Sequence, residues 1–458
     1  MKTIFIASFH PYTARNILAT RAFGLLAEQS DLRLVVFCPG YKKEYFEKRF
    51  ARPNVIIEGV DFDFPSKRWP SFIMKRIAKY GLYSNSTRLE RERKKAMDGR
   101  ILYYLATALL AIVLSRLGLI SKFKRKAMHM VDYRLSRRDR YRAYFEKYHP
   151  GLIWATDVQN ERDVELLHNA KFFKVKTVAN VRAWDNLTLH GLIRVLPDLL
   201  LAQSEKIREQ AIKYDDMPPE KIRVVGVAHY DRYVAGPHQS KNGFLTSLGF
   251  SGLQLSDEKP LILWTPIGDN YLDSNDTDLY TCKVLGSIRV NVIARFSPTI
   301  SVKQMEDIRP SENMVFDRPG VNFRPGTIGD QEMSEEDDER LIKEIYFSDV
   351  VVCGPTTVAL DAVFMGKPAV LIGFHPTPKS FLEGILRRYD YDHFKFAIEC
   401  GAFTVAKSRE ELLKYIDEYV KNPNAKSRER EMLRNAYCGP VDGKSGERIA
   451  KAVLNMLE

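Results

Sequence analysis

The chain has 458 residues, which is long enough for two or three domains and a sizeable hydrophobic core. Apolar residues make up 45% and charged residues 28%, a balance that is typical of globular proteins and excludes a disordered chain. Lysine and arginine together number 70 against 58 acidic residues, so the net charge is +12. This excess favours an anionic partner such as nucleic acid, lipid headgroups or a phosphorylated substrate.

The cysteines argue for a reducing compartment. The chain has five, an odd number, at wide spacings and without a C-x-x-C pair. This pattern speaks against a disulfide framework and against a thiolate zinc site. We therefore predict a cytoplasmic protein, and we interpret the apolar amino-terminal run as a buried strand rather than a secretion signal.

The first part of the chain alternates short apolar strands with helical periodicity. Continuous apolar strands separated by helices indicate a parallel sheet covered on both faces. The predicted strands are Thr3–Phe9, Leu32–Cys38, Asn54–Val60, Leu152–Ala155, Val175–Ala179, Leu199–Gln203 and Lys221–Val225, and the first two helices are Ala14–Gln29 and Tyr41–Phe50.

A basic insertion, placed at about 65–148, interrupts this pattern. Between Arg88 and Arg142 there are 16 basic and 5 acidic residues, so 16 − 5 = +11 of the net charge lies here. The uncharged run Ile101–Ser115 lies between basic clusters. Two interpretations stay open: a helix buried in the domain, and a helix lying on an anionic membrane surface. A membrane span is less favoured because about 20 apolar residues are needed, and nucleic acid is less favoured because no recognition motif accompanies the charge.

A second strand and helix series follows the polar, breaker-rich segment Ala235–Gly243, where we place a domain boundary. Ser334 is a predicted N-cap because acidic residues follow it in the first turn of a helical pattern. We predict an α/β protein of two doubly wound, Rossmann-like domains facing across a cleft. The domains are 1–235 and 244–440, with a closing helix in 441–458. The elements of the second series are the strands Leu261–Thr265, Asn291–Arg295, Val350–Cys353 and Ala369–Ile372 and the helices Glu335–Tyr346 and Ser445–Leu457.

Loops that follow the carboxyl ends of the strands line the binding crevice of such sheets. This rule selects candidate residues by position. From the first domain they are His10, Asp157, Arg182, Asp185, Asn186 and Gly226, and from the second they are Thr265, Arg295, Gly354, Pro355, Thr356 and Thr357.

The strongest local pattern is the run from Val350 to Gly373, in which a buried strand enters a tight turn, two threonines and a helix. Free backbone N–H groups at such a helix start can bind a phosphate, although an ordinary threonine N-cap gives the same pattern. Asp361, one turn into the helix, could accept hydrogen bonds from ribose hydroxyls or lie on a solvated helix face. Arg295 could form a bidentate contact to an anionic oxygen or be a surface arginine.

Two residues of the first domain are candidates for proton chemistry. His10 could act as a general base, orient a substrate hydroxyl or be structural, because the unperturbed pKa of histidine is near neutrality. Asp157 is the competing base. No metal ligand set is predicted, since H-E-x-x-H is absent and the D-x-D triplets are too short to indicate a site.

Several segments resemble the GT-B-fold glycosyltransferases, in the branch of CDP-glycerol glycerophosphotransferase-like and surface-polysaccharide transferases, and more distantly the UDP-N-acetylglucosamine 2-epimerases. Arg182–Gly191 resembles the S-W-D-N-L-T-x-K-G stretch of that branch, with Ala183 and His190 in place of serine and lysine. The segment from Arg295 to Pro298 resembles its R-x-H-P element, in which Ser297 replaces the histidine. The other matching segments are Lys221–Tyr233, Gly354–Leu371 and Asp442–Leu454.

The resemblance implies a transferase that moves a glycosyl or glycerophosphoryl group from a nucleotide-activated donor to a cell-surface glycan or lipid-linked acceptor. The second domain would hold the donor through Thr265, Arg295, Asp361 and the Gly354–Thr357 corner. It implies no required cofactor and no essential metal. An anionic membrane surface against 88–142, on the inner face of the cell membrane, is a further expected partner. The alternatives are a nucleotide-sugar epimerase on the same fold and a non-catalytic, basic membrane-associating protein.

Overall fold

The computed structural model describes residues 1–61, 69–135, 140–237, 239–250, 259–272, 274–324, 326–327 and 329–458. Two compact units make up the chain: Met1–Asp231 together with Gly439–Glu458, and Arg232–Cys438. The sequence placed the corresponding boundaries at 235, 244 and 440. Part of the predicted insertion, 65–68 and 136–139, lies outside the described residues.

A seven-stranded parallel sheet forms the centre of the first unit, in the order β3-β2-β1-β4-β5-β6-β7. The side chains of β1 and β4 are almost entirely buried, which agrees with the continuous apolar sequence of strands covered on both faces. The strands are β1 (Lys2–Ala7), β2 (Leu32–Pro39), β3 (Val55–Val60), β4 (Leu152–Ala155), β5 (Lys176–Asn180), β6 (Leu199–Ala202) and β7 (Ile222–Val224).

The helices of the first unit cover both faces of this sheet and form the insertion. They are α1 (Arg21–Ala27), α2 (Lys43–Phe50), α3 (Trp69–Gly81), α4 (Asn85–Asp98), α5 (Ile101–Ser115), α6 (Leu119–Leu135), α7 (Arg142–Tyr148), α8 (Glu161–Phe173), α9 (Asn186–Leu189), α10 (Glu205–Asp215) and α20 (Ser445–Leu457). The predicted helix over 14–29 is divided into a turn of π-helix, Ala14–Leu18, and α1. The division falls at Thr20, which is extended and donates its hydroxyl to the carbonyl of Ile17 at 2.7 Å.

The second unit has a six-stranded parallel sheet in the order β10-β9-β8-β11-β12-β13. The sequence predicted the four inner strands, whereas the two edge strands, β10 and β13, were missed. Edge strands are covered less completely, so they need no continuous apolar run. The strands are β8 (Leu261–Thr265), β9 (Asn291–Arg295), β10 (Met314–Asp317), β11 (Val350–Cys353), β12 (Ala369–Ile372) and β13 (Phe403–Ala406).

The helices of the second unit include the predicted acidic one. Its N-cap is Ser334, as the sequence indicated, and the structure adds a capping box between Ser334 and Asp337. Helix α11 (Asp231–Ala235) begins at the last residue of the first unit and continues into the second. The other helices are α12 (Lys241–Leu245), α13 (Thr277–Gly286), α14 (Glu335–Phe347), α15 (Val358–Phe364), α16 (Leu386–Tyr389), α17 (Asp392–Glu399), α18 (Arg409–Lys421) and α19 (Ser427–Tyr437).

The last helix, α20, belongs to the first unit and packs against its sheet, where Ile449, Ala452 and Val453 are part of the core. Its start is fixed by Asp231, whose carboxylate accepts from the backbone N–H groups of Ser445 at 3.0 Å and Gly446 at 2.7 Å. A carboxylate at this position satisfies the free N–H groups of a helix start and complements its dipole. These two hydrogen bonds therefore join the segments Lys221–Tyr233 and Asp442–Leu454, both of which carry the resemblance.

The helices of the insertion have a core of their own within the first unit. Met74, Leu82, Leu114 and Met128 pack together, with Leu192 from the Rossmann-like part of the unit. Among the described residues no single helix is long and apolar enough to cross a bilayer; α5 and α6 reach the required length and composition as a pair, which is bent by 102°.

Candidate functional site

Each sheet has one point where the strand order reverses, and the candidate residues of the first unit lie there. β1 and β4 are neighbours, but the chain leaves β1 towards β2 and leaves β4 towards β5 on the other side. Loops that diverge in this way leave a crevice at the carboxyl ends of the strands. His10 follows β1 and Asp157 follows β4, and the Thr156 hydroxyl ties the two loops by donating to the carbonyl of Ala7 at 2.7 Å.

Asp157 is buried, and its carboxylate accepts hydrogen bonds from two residues of the segment Arg182–Gly191 and from the backbone of Gln159. Arg182 Nε donates to its Oδ2 at 2.8 Å, and Asn186 Nδ2 and the backbone N–H of Gln159 lie 3.4 Å and 3.2 Å from its Oδ1. Burial alone would raise the pKa of Asp157, but the Arg182 guanidinium, His10 and these hydrogen bonds outweigh it and hold the pKa below its usual value. Asp157 is therefore ionised at neutral pH.

His10 is neutral at the same pH. Burial, followed by the positive charge of Arg182, lowers its pKa to about 3, although the charge of Asp157 acts in the opposite direction. Its Nδ1 accepts a hydrogen bond from the backbone N–H of Tyr12 at 3.2 Å, so the ring proton belongs on Nε2. In this tautomer His10 is a hydrogen-bond donor at Nε2, which favours the orienting role over the role of base.

The segment Arg182–Gly191 also contains the candidates Asp185 and Asn186. Asn186 Oδ1 accepts from the N–H of Ala183 at 3.1 Å and so closes the turn before α9. Asp185 lies near His190, with 3.2 Å between its Oδ2 and the imidazole Nε2, and both side chains are accessible to solvent. The structure thus brings His10, Asp157, Arg182 and Asn186 together and leaves Asp185 at the rim.

A small cavity of about 30 Å³ lies beside this cluster within the first unit. The candidate Gly226 lines it with a φ of +86°, and a Cβ there would lie 2.3 Å from Ser445 Oγ. The sequence identified one polar residue that lines the same cavity, Arg182, and missed the others, although the strand-end rule applies to Asn180, which ends β5, and to Gln203, which follows β6. The further lining residues that were missed include Thr13, Asn16, Thr156 and His229.

In the second unit the strand order reverses between β8 and β11, where Thr265 pairs with Cys353. The candidates Thr265 and Gly354–Thr357 therefore flank the reversal. A Cβ on Gly354 would lie 2.6 Å from Ile267 Cγ1, so the two loops approach too closely for any side chain there. The Asp278 carboxylate fixes the facing loop by accepting from the N–H groups of Ile267 at 2.7 Å and Gly268 at 2.9 Å.

The corner Gly354–Thr357 combines a tight turn with one exposed threonine, Thr357. The N–H of Thr356 donates to the carbonyl of Gly354 at 2.9 Å, and Pro355 is buried between them. Thr357 is exposed and precedes the first residue of α15. Thr265 is 6% exposed, and its hydroxyl has no hydrogen-bond partner within the described residues. A buried hydroxyl without a partner is costly unless a ligand satisfies it.

Arg295 occupies a different environment from the expected one. It is 4% exposed, and its Nη1 donates to Asp317 at 2.6 Å and to Glu344 at 2.8 Å, while Nη2 donates to the carbonyl of Asp337 at 2.8 Å. Burial raises the pKa of Glu344 to about 8, against the opposing charge of Arg295. The expected phosphate contact does not fit this placement, because the guanidinium is used inside the unit.

Asp361 also lies inside the second unit. It is 3% exposed on α15, close enough to Cys438 that its charge contributes to the raised pKa of that thiol. The expected contact of Asp361 with a ribose stays a prediction, because no observation within the second unit tests it. Within the described ranges no group of three or more metal-ligating side chains comes together.

The comparisons with known proteins show the fold. No protein-family model and no curated protein matches the chain. Among solved structures, a UDP-N-acetylglucosamine 2-epimerase matches with a TM-score of 0.53 at 13% identity, covering 99% of this chain and 95% of that one. The Neisseria meningitidis epimerase bound to UDP-GlcNAc matches with a TM-score of 0.53 at 10% identity, covering 100% and 99%. A variant of the wall teichoic acid polymerase TagF matches with a TM-score of 0.51 at 12% identity, covering 100% and 89%.

These matches and the two parallel sheets confirm an α/β fold of the GT-B class, with two Rossmann-like domains and a helical insertion in the first. At such low identity the likeness concerns the fold. It does not by itself assign a substrate or a reaction.

Replacing Arg295 with glutamine tests its structural role. Because the change leaves the buried Glu344 without its cation and Asp317 with Arg340 alone, we expect Arg295→Gln to lower the free energy of unfolding by about 3–5 kcal/mol. The control is Arg340→Gln, since Arg340 is 37% exposed and also pairs with Asp317, at 2.8 Å; there we expect about 1 kcal/mol or less. Urea denaturation gives both values. An Arg295 variant of normal stability that fails to bind nucleotide would instead support the phosphate contact.

The low pKa of His10 predicts a pH dependence of stability. Since the unfolded chain takes up this proton near pH 6.5 and the folded chain near pH 3, stability contributed by neutral His10 is lost as the pH falls from about 6.5 towards 3. We expect the stability difference between the wild type and His10→Asn to change across this window by at most about 1.4 kcal/mol per pH unit. Denaturation at a series of pH values measures it, with the exposed His149→Asn as control. Parallel curves for the wild type and His10→Asn would contradict the burial of His10.

Proposed function

We propose that this protein is a transferase that moves a glycosyl or glycerophosphoryl group from a nucleotide-activated donor to a cell-surface glycan or lipid-linked acceptor. The proposal depends chiefly on the Gly354–Thr357 corner at the strand-order reversal of the second sheet. The corner lies beside the Thr265 hydroxyl, which has no hydrogen-bond partner among the residues that the structure describes. Solved structures of the same fold include an epimerase bound to UDP-GlcNAc and a second protein, MnaA, bound to UDP, which supports a nucleotide donor. Within the proposal the donor lies at this corner, and neither a cofactor nor an essential metal is required.

The first unit holds the acceptor in this proposal. The acceptor hydroxyl lies against His10, whose Nε2–H orients its oxygen, and Asp157 takes the hydroxyl proton because it is the ionised member of the pair. The oxygen then bonds to the anomeric carbon or the phosphorus atom of the donor, and the bond to the nucleotide phosphate breaks. The N–H and the exposed hydroxyl of Thr357 stabilise the charge on the departing phosphate.

We also propose a cytoplasmic place for the reaction. None of the five cysteines, all of which the structure describes, forms a disulfide, and four of them are buried. Free thiols are typical of reducing compartments, where nucleotide-activated donors would be used from the inner side of a membrane.

Thr265→Val tests the donor site. The substitution keeps the shape of the side chain and removes the unpartnered hydroxyl, so we expect equal or greater stability without ligand and roughly tenfold weaker nucleotide binding. Isothermal titration with UDP, CDP and their activated donors measures the affinity, and thermal unfolding measures the stability.

Thr281→Val is the matched control, because Thr281 is another buried threonine of the second unit whose hydroxyl has no partner in the described part of the chain. It should change stability in the same direction and leave nucleotide affinity unaltered. Equal nucleotide affinities for the wild type and Thr265→Val would show that the donor does not bind at this corner. The absence of saturable binding for every nucleotide would favour a non-catalytic protein.

Asp157→Asn and His10→Ala separate the two proposed roles. If Asp157 takes the proton, Asp157→Asn should lower kcat by about 10²–10⁴-fold. If His10 orients the acceptor by one hydrogen bond, His10→Ala should raise the KM for the acceptor roughly tenfold with a smaller effect on kcat. Initial rates at varied acceptor concentration give both parameters, and unchanged donor affinity serves as the control. The reverse pattern would make His10 the base.

A nucleotide-sugar epimerase is the second candidate, because epimerases match this fold at a TM-score of 0.53 against 0.51 for the TagF variant. An epimerase converts its sugar nucleotide without an acceptor, whereas the proposed transferase requires one. Turnover of UDP-GlcNAc to its 2-epimer in the absence of any acceptor would therefore replace the transferase proposal.

A further inference from the structure

Helix α5 of the insertion exposes an apolar face. Leu102, Leu105, Leu109 and Ile112 are spaced by three or four residues, so they lie on one side of the helix. Their exposed fractions are 83%, 55%, 63% and 39%. The α5 sequence carries no charged residue.

The opposite face of α5 is apolar as well. Thr107, Ala111 and Leu114 are buried against the rest of the first unit. A helix at the surface of a protein in water normally buries one apolar face and presents polar residues on the other. An outward face of large aliphatic side chains indicates that something other than water covers it.

Helix α6 repeats this arrangement and adds charge. Leu119, Ile120, Phe123 and Met130 are 73%, 56%, 73% and 50% exposed. At 100° per residue these side chains fall on one side of the helix. Lys122 and Lys126 border this side at one edge and Lys124 at the other, and all three lysines are exposed. An apolar stripe between lysines is the pattern of a helix that lies in a lipid interface.

The two faces meet at the corner between the helices, where every residue of 116–120 is exposed. Leu117, at 43%, adds a further aliphatic side chain there. We call the outward side chains of α5 and α6 together with this corner the insertion face.

The insertion face is outward because the inner sides of the two helices are fixed. Arg125 Nε donates to Asp216 at 2.8 Å, and its Nη1 donates to the carbonyl of Leu114. Ser115 donates to the carbonyl of Gly81 at 2.6 Å, and His129 Nδ1 lies 2.8 Å from the carbonyl of Arg194. These buried and partly buried polar contacts set the rotation of each helix, so the apolar side chains cannot turn inwards. They also show that Arg125, one of the basic cluster, supports the fold and is not available to a partner.

We propose that the insertion face docks on an anionic lipid bilayer. The choice of occupant rests on charge: the segment from Arg88 to Arg142 carries +11, and its exposed lysines flank the apolar stripe where phosphate groups would lie above the acyl chains. Lysine side chains can reach such headgroups while their methylene stems stay against apolar surface. A second copy of the chain would bring the same positive charge against itself.

Docking of this kind goes beyond the transferase proposal and does not rest on it. Vesicle binding is measured without donor or acceptor, so its failure would leave the transferase proposal intact, and a failure of nucleotide binding would leave the docking surface intact.

The experiment is co-sedimentation of the full chain with phosphatidylcholine vesicles, with and without phosphatidylglycerol. We expect binding to the anionic vesicles and little to the neutral ones. The variant Lys122→Gln, Lys124→Gln, Lys126→Gln should reduce the partition coefficient on the order of 100-fold, because each lysine near the surface contributes about 1 kcal/mol. The variant Leu105→Ser, Leu109→Ser, Phe123→Ser should reduce it at least about as much, because these side chains would no longer enter the apolar layer.

Matched controls carry the same changes at exposed positions elsewhere. They are Lys176→Gln, Lys213→Gln, Lys221→Gln for charge and Phe172→Ser, Phe381→Ser, Met432→Ser for apolar surface. Both should bind like the wild type, and thermal unfolding should show that all four variants are folded.

Three results would overturn the proposal. The first is equal binding of the wild type and both insertion-face variants, and the second is equal binding of the wild type to neutral and anionic vesicles. The third is a wild-type dimer in sedimentation analysis that the serine variant converts to a monomer without any change in vesicle binding. That result would assign the insertion face to a second copy of the chain.

Discussion

The reversal of strand order in each parallel sheet is the constraint on which the site depends. Because a right-handed crossover carries the chain to one side or the other of its starting strand, two neighbouring strands whose connections diverge leave a gap at their carboxyl ends. In the first unit β1 and β4 form this pair, and in the second β8 and β11 do. His10 with Asp157, and Thr265 with Gly354, are placed by that topology alone.

Arg182 and Arg295 have different roles because they pair with different carboxylates. Arg182 holds Asp157 ionised at the first reversal, whereas Arg295 joins Asp317 and Glu344 inside the second unit. Both arginines lie just past or at the end of a strand, and sequence position does not distinguish them. What distinguishes them is the neighbouring strand: the register of β10 against β9 sets Asp317 directly beside Arg295.

Most of the fold was predictable from sequence, because a buried parallel strand must be apolar along its whole length and therefore has a strong local pattern. The inner strands were found in this way, whereas α14 was found from its N-cap and acidic first turn and the basic insertion from its charge. The edge strands β10 and β13 were not found, although the edge strands β3 and β7 of the first sheet were, so partial cover weakens the apolar pattern without always removing it. The site was predicted in part: strand ends identify His10, Asp157, Gly354 and Thr265, but the burial of Arg295 and Asp361 depends on contacts between distant segments.

The sequence by itself determined the two Rossmann-like series, the position of the candidate loops at strand ends and the concentration of positive charge in the insertion. These follow from local composition and periodicity, which each segment carries without its neighbours. The tertiary structure decided which candidates remain accessible, which tautomer His10 adopts beside Tyr12, and which face of α5 and α6 is turned outwards. Those outcomes depend on burial and hydrogen bonding between residues far apart in the chain, and no local pattern encodes them.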